Sequence, residues 1–139
     1  MSDTKHREER VVAMLGNHDV GATLAVSDFD AARSFYEGTL GLAPTMEFPE
    51  SVLYTSGNTR LMVYRSEFAG TNKATAATWG VGDELDSIVQ DLRSKGVTFE
   101  HYDLPETTRD GDIHEMGDGM RGVWFKDPSG NIISLVNAT

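Results

Sequence analysis

The 139 residues, 39% of them apolar, suit one compact domain or two small halves sharing a core, and are enough to enclose a cavity. A formal net charge of −10 argues against nucleic acid, whose phosphates call for Lys and Arg, and the absence of cysteine excludes disulfides, thiolate nucleophiles and sulfur-ligated metals. No stretch approaches the roughly 20 apolar residues that span a bilayer, and the apolar run near the start is too short for the core of a signal peptide, so a cytoplasmic location without a membrane partner is expected.

Residues 1–19 read as an N-terminal extension, with a helical turn or two over Lys5 to Leu15 and Gly16 as its stop. The domain proper is expected over residues 20–139. "GATLAVSD" alternates small or polar residues with Ala22, Leu24 and Val26, the pattern of a half-buried strand. Asp28 is placed to cap the helix "FDAARSFYEGTL", whose Phe29, Ala32, Phe35, Tyr36 and Leu40 share a face and which Gly41 ends. Three strands are expected near residues 44–48, 51–55 and 60–66.

The opening phrase then returns 55 positions later: Ala22, Thr23, Val26, Asp28 and Gly41 correspond to Ala77, Thr78, Val81, Asp83 and Gly96. Leu85, Ile88, Val89 and Leu92 stripe the second helix, and strands are expected near residues 97–104, 120–126 and 131–137, the last two joined by the turn "DPSGN". The chain therefore reads as two modules, about 20–70 and 75–137, each βαβββ. A module this small cannot cover both faces of its own sheet. The expected fold is α+β: two modules forming a curved mixed sheet, a cup, with helices on its outer face.

With "LAVSDFDAARSFYEGTLGL", "VGDELDSIVQDLRSKGVTF", "WFKDPSGNIISLV" and the duplication, the sequence resembles the vicinal oxygen chelate superfamily, which includes glyoxalase I, extradiol dioxygenases, and fosfomycin and bleomycin resistance proteins. The resemblance spans residues 21–137. It implies a metal site built from four cup-facing His or Glu side chains, one from the first and one from the last strand of each module. Here those positions carry Gly21, Met62, Ala76 and Ser134, none of them a normal ligand for Mn, Fe, Ni or Zn. No metal and no other cofactor is expected.

Strand alternation directs Leu24, Val63, Val81 and Leu135 toward the helices, and Thr23, Met62, Tyr64, Thr78, Ile132, Ser134 and Val136 into the cup, together with Trp124. An apolar pocket with a few hydroxyls is the usual makeup of a small-molecule site; an ordinary filled interior is the alternative. Beside it, "EHYDLPETTRDGDIHEMGDGMRG" sets seven acidic residues against Arg109 and Arg121, which would draw in a cationic ligand or simply be a solvated loop. Its "GDGMRG" has the spacing of a dinucleotide fingerprint but leads into a strand, so a Rossmann site is rejected. His101, His114, Glu115 and Tyr64 are the candidates for acid-base catalysis.

The first reading is a metal-free binding module for a small, largely apolar molecule, with a cationic one favoured by the acidic loop, as in the bleomycin resistance branch. The second is an enzyme of lyase, isomerase or dioxygenase type, working without metal through His and Glu or with a non-standard metal site. Related proteins commonly pair, so a homodimer is expected.

Overall fold

The computed structural model describes residues 15–138. The helical turn expected over Lys5 to Leu15 lies outside the described residues apart from Leu15, which opens a short 3-10 turn, Leu15–Asn17. In the first module, β1 (Ala22–Val26) leads to α1 (Phe29–Arg33) and then to β2 (Ala43–Phe48), β3 (Ser51–Ser56) and β4 (Thr59–Arg65). In the second, β5 (Thr75–Gly80) leads to α2 (Leu85–Ser94), β6 (Phe99–Glu100), β7 (Thr108–Asp110), β8 (Ile113–Glu115), β9 (Arg121–Lys126) and β10 (Ile132–Val136). Among the described residues no helix is long and apolar enough to cross a membrane.

The helix starts show how local chemistry shapes each module. Asp28 has extended backbone and its carboxylate accepts the Ala31 N–H at 3.0 Å, satisfying one of the unpaired donors at the start of α1. After Arg33 the helix widens into a π turn, Ser34–Thr39, instead of continuing as α to Leu40. At the equivalent place in the second module Asp83 caps nothing; Gly82, with φ +57°, turns the chain into a 3-10 turn, Gly82–Glu84, and α2 starts after it.

Each module has the same topology. The first sheet runs β1-β4-β3-β2 and the second β5-β10-β9-β8-β7, with β6 also on β9. In both, the first strand lies parallel to the last, β1 to β4 and β5 to β10, and the other pairs are antiparallel. A parallel pair needs a crossover, and the helix supplies it. The two-module α+β architecture is the expected one, its strands divided into sheets of four and six. The second strand of the second module, expected over residues 97–104, is only Phe99–Glu100, and the loop beyond it holds the unexpected hairpin β7-β8.

One hydrophobic core joins the modules. Leu24, Val26, Val52, Tyr54 and Val63 from the first sheet meet Val123, Phe125, Ile133 and Leu135 from the second, with Ala32, Tyr36, Leu85, Val89 and Leu92 from the helical segments between them. Phe35 lies 6.2 Å from Phe125 and Tyr36 6.2 Å from Tyr54, ring centre to ring centre, so the first helical segment packs on both sheets. At about 1.5–3 kcal/mol for each large apolar side chain removed from water, this core is the main stabilising term.

The turn between β9 and β10 adds a polar lock. Buried Asp127 accepts from the Tyr36 hydroxyl at 2.7 Å, from the Ser129 and Asn131 N–H groups at 2.9 and 2.8 Å, and from Asn131 Nδ2 at 2.9 Å. Asn131 Nδ2 also donates to the Ala25 carbonyl at 2.7 Å, and the Ser27 N–H to Ser129 Oγ at 2.9 Å. On its other side this turn meets Gly70, with φ +73°, where a Cβ would fall 2.1 Å from the Ser129 carbonyl oxygen; only glycine fits.

Candidate functional site

The candidate residues fall on the sheet faces that turn away from the shared core. On the second sheet Ser134 stands opposite both Trp124 and Thr78, and Trp124 opposite Glu100, so these four share a face. Val136 and Gly122 form the next row, joined by His114, and Ile132 lies opposite Lys126. Ser134 is 4% exposed, Trp124 half-buried and Thr78 exposed. On the first sheet Thr23 stands opposite Met62, and Tyr64 is on the same side of β4.

Trp124 is the centre of an aromatic group. His114 meets it edge to face at 4.9 Å between ring centres, and Tyr102 does so at 5.4 Å. The Trp124 indole N–H donates to Thr75 Oγ1 at 3.1 Å, which fixes the ring. Glu100 adds a carboxylate on this face, 4.0 Å from Lys126. Gly122 makes room nearby: a Cβ there would sit 3.0 Å from the Leu135 carbonyl oxygen and 3.1 Å from Met116 Cε.

His114 is the main departure from the sequence reading, which placed it on the acidic loop. It lies on β8, 0% exposed, because Ile113 anchors that strand in the core and the alternation turns its neighbour onto the Trp124 face. Its Nε2 accepts the Tyr102 N–H at 3.0 Å, which places the proton of the neutral ring on Nδ1, an atom with no hydrogen bond of ordinary geometry among the described residues. Burial, with the charge of Arg109 and the neighbouring His101, holds its pKa below the usual 6.5.

The other acid-base candidates separate. His101 Nε2 lies 2.8 Å from Asp112 Oδ1, and Arg93 donates to Asp112 Oδ2 at 2.7 Å. These contacts, that from His101 first, hold the Asp112 carboxyl below the usual carboxylate range. Glu115 alternates to the opposite side of β8 from His114, and Tyr64, 40% exposed, is on the other sheet. Of the acidic loop, Asp103, Glu106, Asp110, Glu115 and Asp118 are exposed, whereas Asp112 is engaged.

The four positions assigned by resemblance to a metal do not fit one. Met62 and Ser134 offer a thioether and a neutral hydroxyl, and a Cβ at Gly21 would press to 3.2 Å on the Arg60 carbonyl oxygen. Among the described residues no three of His, Cys, Asp or Glu gather closely enough to hold a metal ion.

Sequence reading counted Glu100 only among the acids of the loop, and missed Tyr102, and Leu53, Met46 and Phe48 on the first sheet. Leu53 stands opposite Met62 and Met46 opposite Leu53, while Phe48 and Tyr64 each pair with Ser51. Met46 and Phe48 are 51% and 46% exposed, so this face is openly apolar. The spacing of Met46 and Phe48 by two was the available signal; for Tyr102 there was none.

Two βαβββ modules share one core, each with a sheet face turned away from it. The chain belongs to the Glyoxalase/Bleomycin resistance protein/Dioxygenase superfamily, whose family model matches residues 17–135. Among curated proteins it finds no significant sequence match. Its fold resembles lactoylglutathione lyase from Agrobacterium tumefaciens, with TM-score 0.64 and 19% identity over 86% of this chain and 92% of that one. A bleomycin resistance determinant encoded on the transposon Tn5 gives TM-score 0.66 and 18% identity over 87% and 98%. A bleomycin-binding protein complexed with bleomycin gives 0.65 and 18% over 88% and 99%.

Proposed function

We propose that the protein is a metal-independent binding module that holds a small, largely apolar, cationic molecule against the Trp124 face of the second sheet. One observation carries this reading: Trp124, held by Thr75, has Tyr102 and the Glu100 carboxylate beside it on one partly exposed face. An indole face attracts a cation, a carboxylate pairs with it, and the exposed acids of the neighbouring loop raise its local concentration. Bleomycin binding by a protein of the same fold supports the small-molecule part.

A screen for Trp124 fluorescence changes and thermal stabilisation tests this. Planar cations should bind better than anions of similar size, and at about 100 times the dissociation constant should stabilise the fold by roughly 2.7 kcal/mol, about 5–10 °C. Affinity should weaken with salt, through Asp103, Glu106, Asp110, Glu115 and Asp118, and fall strongly in Trp124→Ala. Preferential binding of anions would count against it.

The same reading has two copies paired and no resident metal. The apolar face of Met46, Phe48 and Tyr64 supports pairing, and Gly21, Met62, Ala76 and Ser134 support the second point. Native mass spectrometry of untagged protein is expected to give twice the chain mass with no stoichiometric divalent ion. A monomer would remove the pairing, and one Mn, Fe, Ni or Zn per chain the metal-free reading.

The alternative, an enzyme, has one observation in its favour: His101 is oriented by Asp112, as a general base would be. Recovery of the bound cation chemically altered, with the alteration lost in His101→Gln, would favour it.

A further inference from the structure

The second sheet has a cavity on the side away from Trp124. It measures about 210 Å³ and is walled by Leu40 and Leu42 after the π turn, Trp79 on β5, Ile88 and Leu92 on α2, and Phe125 on β9. Thr39, Asp91 and Lys95 edge its mouth. Strand alternation separates it from the proposed binding face: Phe125 and Trp79 point to the core side, Trp124 and Thr78 to the other.

We infer that this cavity is a second ligand site, which takes a neutral single-ring aromatic bearing one hydroxyl. Size comes first. An enclosed 150 Å³ cavity lined by Leu, Ile and Phe binds benzene, and the larger volume of this open-mouthed pocket leaves room for a ring and about two or three further non-hydrogen atoms. An apolar occupant would take these walls out of water and make dispersion contacts with them.

Charge decides the rest. The walls offer an ion nothing, and burying one there unpaired is costly. At the mouth Lys95 Nζ pairs with Asp91 Oδ2 at 3.0 Å and donates to the Thr39 carbonyl at 3.3 Å, so the two charges cancel. Among the described residues one N–H of the ammonium and Asp91 Oδ1 remain to meet a hydroxyl, which can accept from the first or donate to the second. An alkylphenol satisfies ring, length and hydroxyl together. The inference is independent of the proposal for the Trp124 face.

The chain's two tryptophans separate the two sites, Trp79 lining this cavity and Trp124 the open face. In Trp124→Phe, Trp79 is the sole tryptophan and can be excited at the red edge of its absorption, where 4-ethylphenol is transparent. Titration with 4-ethylphenol should give a saturable change in Trp79 emission. The anion 4-ethylbenzoate should bind at least about tenfold more weakly, and ethylbenzene should bind without the contribution of the hydroxyl. Ile88→Phe, which fills the cavity, should weaken 4-ethylphenol at least about tenfold, and the smaller Val81→Ile, at another residue of the cavity wall, which keeps the assay informative if the first variant does not fold, severalfold. A response that stays linear up to the solubility limit, persists undiminished in a folded filled variant, or is equally strong with 4-ethylbenzoate overturns the inference.

Discussion

Replacing Asp127 by alanine is expected to lower the melting temperature by about 10–15 °C. The carboxylate accepts four hydrogen bonds while buried, one from Tyr36 and three from its own turn. Removing it strands the Tyr36 hydroxyl, whose proton burial and the Asp127 charge hold far more tightly than usual. It also frees Asn131 and Ser129, the residues that reach Ala25 and Ser27 of the other module. Charge-assisted hydrogen bonds contribute about 1.5–3 kcal/mol each and are not additive, so about 3–5 kcal/mol is expected, at roughly 3 °C per kcal/mol for a chain of this length. Tyr36→Phe should cost about 1–2 kcal/mol. The double variant should cost less than the sum, because the two share one bond. Thermal denaturation of the three variants measures this; an Asp127→Ala protein that melts within about two degrees of wild type would show that the lock contributes nothing.

A second large effect is expected in acid. Burial favours the neutral form of His114, so its folded pKa lies below the ordinary 6.5 and the unfolded chain takes up the proton first. The resulting stability is complete above about pH 6.5 and is lost as pH falls toward and through the folded value, at up to about 1.4 kcal/mol per pH unit. Arg109 and His101 act in the same direction, as positive charges near a ring that would become positive. The carboxylates of Glu37, Asp86 and Asp112 are depressed below their ordinary 4.5 and 3.8, so their contributions are lost only in stronger acid. His114→Gln keeps an acceptor for the Tyr102 N–H and removes the titration. Urea denaturation across this window should show a falling wild type and a flat variant. Parallel curves would mean that His114 does not carry the acid limb.

The acid limb also bears on the proposed site. Protonated His114 can no longer accept at Nε2, and that bond holds Tyr102, the edge-to-face partner of Trp124. Affinity for a planar cation should therefore weaken over the same interval.

Much of the architecture was legible in one dimension. The 55-residue repetition identified two modules, and period-two alternation was enough to put Ser134, Trp124 and Thr78 on one face of β10 and its neighbours, because in a strand the facing of a side chain is a local property. Residue chemistry alone also gave the expectation that Gly21, Met62, Ala76 and Ser134, none a normal ligand for Mn, Fe, Ni or Zn, hold no metal. Capping was only half legible: Asp28 caps α1, but the equivalent Asp83 does not cap α2, because Gly82 at positive φ takes the chain through another turn.

What tertiary structure decided concerns residues whose partners are distant in sequence and whose own segment has no period. Glu100 and Tyr102 reach Trp124 because two residues of β6 pair with β9, and His114 is buried because Ile113 fastens a three-residue strand to the core. Tyr36, read as one more apolar residue on a helix face, carries the hydroxyl that binds Asp127, 91 positions away. Helix and strand periods record which side of an element is apolar; they say nothing about which polar atom will meet which. Those meetings are fixed only when the modules close on their common core, where each buried donor and acceptor must find a partner or destabilise the fold.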